Sequence, residues 1–139
     1  MDLKRSTYYE INEYVNNVWE ATGRVQSLDP FWDMRSKQLY LSLLYLAKKG
    51  WSRRRSESSV DLFIKKAYEG MLRNDYSLLQ EARMEISNCQ ETEPARIMAR
   101  QWIAIEDMDI LYELSCIQRR IDVYNRRRRN RKRRERKTA

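Results

Sequence analysis

The sequence predicts an all-α protein, a compact bundle of about five helices whose long last helix runs into a basic arm. Three observations carry this. The 139 residues hold only three Gly and two Pro, so few positions break a helix. Apolar residues recur at three- and four-residue spacing along most of the chain, and no run alternates with the period of two that a half-buried strand requires. Hydrophobic residues make up 42%, with four Trp and nine Tyr, enough to pack one core in a domain of this length.

The first helix opens at Thr7, with Glu10 placed to complete a capping box, and its inward stripe is Tyr8, Ile11, Val15, Val18, Trp19 and Thr22, ahead of Gly23. Asp29 caps the second, with Pro30 at its first position. Phe31, Met34, Leu39, Leu41, Leu43, Leu44 and Leu46 make it apolar on most faces, and it ends at Gly50 as the central core helix. Ser58 or Ser59 caps the third, which buries Val60, Phe63, Ile64, Ala67, Tyr68 and Met71. Asn74 or Asp75 caps the fourth, with Leu78, Leu79, Ala82, Ile86 and Cys89 on one face.

The fifth helix begins at Thr92-Glu93-Pro94, and no Gly or Pro follows to stop it. It carries two stripes. Met98, Trp102, Ile105, Met108, Leu111 and Tyr112 would pack on the other helices, while Ile110, Leu114, Ile117, Ile121 and Tyr124 recur at 4,3,4,3 spacing. The second stripe is either a continuation of the monomer core, which the shortness of two heptads favours, or a dimer seam that would make a homo-oligomer.

Charge divides the chain unequally. The net charge is +8, but Tyr124 to Ala139 holds ten Lys or Arg and a single acid, Glu135, while Met1 to Val123 holds 18 bases against 19 acids. This separates a near-neutral helical domain, 1–123, from an arginine-rich arm, 124–139. Absence of His excludes Cys2His2 zinc sites, His-based acid-base catalysis and Ser/His/Asp triads. Glu106, Asp107 and Asp109 are read as a solvated face rather than a metal site, so no cofactor, metal or enzymatic activity is expected. Cys89 and Cys116 sit in apolar-periodic surroundings and read as reduced structural residues. Asp2 stands where myristoylation needs Gly, no signal-like apolar run follows, and the longest apolar stretch, Leu39 to Ala47, is about half a bilayer span.

The arm supplies the functional expectation. Arg126, Arg127, Arg128, Arg129, Asn130, Arg131, Lys132, Arg133, Arg134, Arg136 and Lys137 form a block whose like charges repel at i,i+4, so the free arm is expected to fray. Neutralising nucleic-acid phosphates removes that repulsion and releases counterions. Eight Arg to two Lys favours a planar fork that bridges phosphate oxygens, pairs with guanine and stacks on bases, and so points to structured RNA before DNA. The same run fits an import receptor, which would place the protein in nucleus and cytoplasm. A second basic patch, Lys48, Lys49, Trp51, Arg53, Arg54 and Arg55, lies between the second and third helices; there Trp51 either stacks on an exposed base or folds back on the core. Ser56 follows this run as a basophilic kinase site would, Ser58 has Asp61 three residues on, and a phosphate here would oppose nucleic-acid binding.

The segment from Arg128 to Arg136 resembles the arginine-rich RNA-binding motif of retroviral Rev-type export proteins and similar small viral regulators. The resemblance implies a motif that enters RNA as a helix and doubles as an import signal, with Arg128, Arg129, Asn130, Arg131, Arg133, Arg134 and Arg136 as the contacting set. In that family the motif lies in an N-terminal helical hairpin; here it follows a larger helical body. The expected function is therefore a viral-type RNA-binding regulatory or accessory protein. The alternatives are a nucleocapsid- or matrix-type protein that packages genome, by analogy of fold alone, and a helical interaction adaptor with an import tail.

Overall fold

The computed structural model describes residues 1–23, 30–88 and 107–138, with the side chains at 30–32, 52, 86–88, 107 and 138 left aside. Five α-helices occupy these residues: α1 (Tyr8–Ala21), α2 (Pro30–Lys48), α3 (Glu57–Leu72), α4 (Ser77–Asn88) and α5 (Asp107–Thr138), with a short 3-10 turn at Trp51–Arg53. No β-strand occurs among the described residues, which hold only an isolated bridge between Asp2 and Ser56. The fold is an all-α bundle with a long last helix. The expected cap Asp29, the start at Thr92-Glu93-Pro94, and Cys89, Met98, Trp102, Ile105 and Glu106 lie outside the described residues.

Local chemistry explains the helix ends. Thr7 caps α1: its side chain accepts from the Glu10 N–H at 3.1 Å, while Glu10 accepts from the Thr7 N–H at 3.1 Å. α2 stops because Gly50 enters the left-handed region at φ 100°, which a side chain would strain. The cap of α3 is Ser56, not Ser58 or Ser59. Its hydroxyl accepts from the Ser59 N–H, and the Ser59 hydroxyl accepts from the Ser56 N–H, a capping box with Ser at the third helical position. α3 ends with Asn74 at φ 61°, where the Asp75 N–H reaches the Gly70 carbonyl at 2.8 Å and the Asn74 N–H reaches that of Met71 at 3.1 Å, a Schellman closure. Asp75 then orients the start of α4, accepting from the N–H of Ser77 at 3.1 Å and its hydroxyl at 2.6 Å.

The core is built where α5 lies against α2, α3 and α1. Ile11, Val15 and Val18 of α1, Leu39, Leu43 and Leu44 of α2, and Val60, Phe63 and Ile64 of α3 close around Ile110, Leu114, Ile117 and Ile121 of α5. The 4,3,4,3 stripe is thus this chain's own core: Ile110 and Ile117 are fully buried, and Tyr124 packs edge-on against Tyr14 at 6.2 Å. Spent inward, it offers no dimer seam. Of the other stripe, the described residues divide: Met108 and Tyr112 face outward, while Leu111 packs partly against the core. Met34, expected in the core, is also exposed, whereas Leu3, ahead of the first helix, is fully buried.

Polar groups are buried with the apolar ones. Arg120 of α5 is 1% exposed, and its fork donates to the carbonyls of Trp19 at 3.0 Å and Thr22 at 3.2 Å, to the Thr22 hydroxyl at 2.9 Å, and to Asp33 at 2.6 Å. It thereby satisfies the carbonyls that the end of α1 leaves without helical partners, and stacks over Trp19 at 4.8 Å. Nearby, the buried Glu113 meets the Arg35 Nε at 3.0 Å, yet burial outweighs that partner and raises its carboxyl to about 7.

Candidate nucleic-acid interface

α5 runs unbroken across the expected 123/124 boundary, so the arm is the exposed end of a core helix rather than a separate tail. Its 32 residues measure about 48 Å at 1.5 Å per residue. Ile121 is its last buried apolar residue, and every residue from Arg126 to Lys137 is exposed. The arm is therefore helical as the chain stands, against the expectation of fraying. Three effects oppose the repulsion of its charges. The packed half of α5 supplies the nucleus, so each added residue only propagates the helix. Arg and Lys are good helix formers. Cations also suit the negative end of the helix dipole, where Arg136 and Lys137 stand.

The arm's first turn is moored to the body. Arg127 donates to the Ala21 carbonyl at the end of α1, and the Arg128 guanidinium lies over the Tyr124 ring at 5.7 Å. Arg128, Arg129 and Lys132 line a groove of about 350 Å³ with Asn125, Asp122 and Ser58 of α3. Beyond it the helix carries bases around its whole circumference, with the exposed pair Arg131–Glu135 at 3.8 Å along one side.

The second patch is only partly what its sequence suggests. Trp51 is folded onto the core, 3% exposed and edge-on to Phe63 at 4.6 Å, so it has no face to offer a base. Arg54 follows it inward, sandwiching Trp51 at 4.3 Å and Phe63 at 4.6 Å and pairing with Glu81 at 3.7 Å; burial lowers its guanidinium pKa. Lys48 donates to the carbonyls of Ser6 at 2.5 Å and Lys4 at 3.3 Å. Lys49, Arg53 and Arg55 remain exposed. Lys4 and Arg5, which the sequence reading did not single out, join them: the Leu3 N–H bonds the Arg55 carbonyl at 2.8 Å, and Lys4 lines a cleft of about 220 Å³ with Lys48, Lys49, Arg53 and Arg55. No local signal marks Lys4 and Arg5, because only the return of the chain brings them to this loop.

The start of α3 follows the patch in sequence and borders the arm. Ser58 faces the arm's groove, and Arg55 stands three residues before it. Among the described residues no cluster of His, Cys, Asp or Glu could hold a metal ion, and no helix is long and apolar enough to cross a membrane. Comparisons with protein families, with curated proteins and with solved structures find no match to this chain.

Proposed function

We propose that this chain binds nucleic acid, RNA in preference to DNA, as a regulatory or accessory protein, and that the exposed end of α5 is the binding element. The observation that carries the reading is a preformed helix with ten Lys or Arg between Arg126 and Lys137, moored to the body by its first turn. A moored helix loses less conformational entropy on docking than a disordered tail of equal charge. A slender helix armed with Arg on all sides suits the widened grooves and bulges of structured RNA better than the narrow deep groove of regular A-form. The patch of Lys4, Arg5, Lys49, Arg53 and Arg55 supplies further phosphate contacts on the body.

The test compares the intact chain with one carrying Arg129→Gln, Arg131→Gln, Arg133→Gln and Arg136→Gln. Gln keeps helix propensity and removes charge. Affinity for structured RNA from the host cell is expected to fall at least 100-fold, with helix content unchanged by circular dichroism. Binding no tighter than that of a scrambled basic peptide would support the import-adaptor reading instead.

A further inference from the structure

Ser58 stands where two features meet. On one side is the run Arg53-Arg54-Arg55-Ser56-Glu57-Ser58-Ser59. Of its serines, Ser56 and Ser59 commit their hydroxyls to the capping box of α3, and the Ser59 hydroxyl also donates to the Ser56 carbonyl at 2.7 Å. Ser58 takes no part in that box and is exposed. Arg53 and Arg55, five and three residues before it, are exposed as well, while Arg54 between them is turned onto Trp51 and Phe63. The two accessible guanidiniums thus sit at the spacing that a serine kinase with acidic subsites reads upstream of its target. The first turn of a helix is also among the least costly parts of a fold to open for a kinase.

On the other side is the arm. Ser58 shares its groove with Arg128, Arg129 and Lys132, against which stands one carboxylate, Asp122. Three cations and one anion leave an excess of about two positive charges, matching the −1.5 to −2 of a phosphoserine. Of the three cations, Arg128 also lies over the Tyr124 ring of its own helix at 5.7 Å.

We propose that Ser58 is a phosphorylation site and that its phosphate is clamped by Arg128, Arg129 and Lys132, withdrawing part of the arm from RNA. The regulatory half of this proposal rests on the nucleic-acid reading above; the clamp does not. The step is phosphoryl transfer from ATP. The bond from the Ser58 Oγ to the γ-phosphorus forms as the bond to the departing ADP oxygen breaks, and the hydroxyl proton passes to the kinase's catalytic base. An anion in the first turn of α3 is compatible with that helix, whose positive end it faces.

At 0.1 M salt each single-strand phosphate contact is worth a factor of about five, so losing two weakens RNA binding about 25-fold. The experiment uses the full chain with phosphoserine installed at position 58 during translation, with and without Arg128→Gln, Arg129→Gln and Lys132→Gln. Phosphorus NMR is expected to show the phosphate's second ionisation about one unit or more below its ordinary value of about 6, returning to it in the triple variant. A phosphate that titrates ordinarily in both backgrounds overturns the clamp. A clamp accompanied by unchanged RNA affinity overturns the regulation. An unmodified chain that ignores RNA sinks the nucleic-acid reading instead, and the phosphorus titration still reports on the clamp. Incubation with a basophilic serine kinase and ATP is expected to place the phosphate on Ser58 by mass spectrometry; no incorporation, or incorporation on Ser56 alone, overturns the site.

Discussion

At the scale of single residues, the groups that matter most to stability are polar ones the hydrophobic pattern does not reveal. Arg120 ties α5 to the end of α1 and to Asp33, and its removal would leave two carbonyls and a carboxylate without their donor. Arg120→Ala is expected to cost about 3–5 kcal/mol in urea denaturation. Arg120→Lys should recover only part of this, since a single ammonium cannot span the fork's partners. Asp61 gives the second case. It accepts from the Tyr40 hydroxyl at 2.7 Å, and burial, assisted by Glu57 and Asp122, raises its carboxyl to about 7. A folded-state pKa above the unfolded value means that the folded chain holds the extra proton. Stability therefore falls as pH rises from about 4 to about 7 and stays low above it. Glu113, whose carboxyl burial also raises to about 7, titrates in the same window, so Asp61 accounts for part of this slope. Asp61→Asn keeps an acceptor for Tyr40 and removes the charge. It should raise the melting temperature at pH 8, leave it little changed at pH 4.5, and flatten the slope between. An identical slope in the variant would refute the assignment.

At the scale of elements, periodicity identifies helices well and faces less well. The stripe Ile110, Leu114, Ile117 and Ile121 is plain in the sequence, but a core helix and a coiled-coil strand write the same pattern over two heptads. Only the packing of α1, α2 and α3 around it decides. Caps are legible when they follow the common signature, as Thr7 and Glu10 do; Ser56 escapes notice because Ser59 replaces the usual Glu or Gln three residues on. Gly70 illustrates the same limit. Within a helix, Gly→Ala ordinarily gains about 1 kcal/mol. Here an added Cβ would stand 2.9 Å from the Asp75 carbonyl oxygen in the tight turn into α4. Gly70→Ala is therefore expected to destabilise, by about 1–3 kcal/mol in urea denaturation, with the turn after Met71 displaced. A gain of stability would show the turn to be looser than described.

At the scale of the molecule, the chain separates a near-neutral body from a strongly basic helix end that grows out of its core. The charge run is visible in one dimension, and so the arm was legible from Arg126 to Lys137. Its order was not, because repulsion within the run is local while the nucleus that overcomes it lies in the packed half of α5. The second patch was half legible. Sequence neighbours Trp51 and Arg54 turn inward, and distant Lys4 and Arg5 arrive through the bond from Leu3 to Arg55. Affinity of such a surface for RNA is governed by counterions, and the salt dependence of the binding constant counts the phosphates engaged. The most direct measurement is a titration of structured RNA with the intact chain from 50 to 300 mM salt. If about five to seven phosphates are engaged, log K falls against log salt with a slope of roughly −3.5 to −5. A slope near zero, or no binding at 50 mM, would contradict the account.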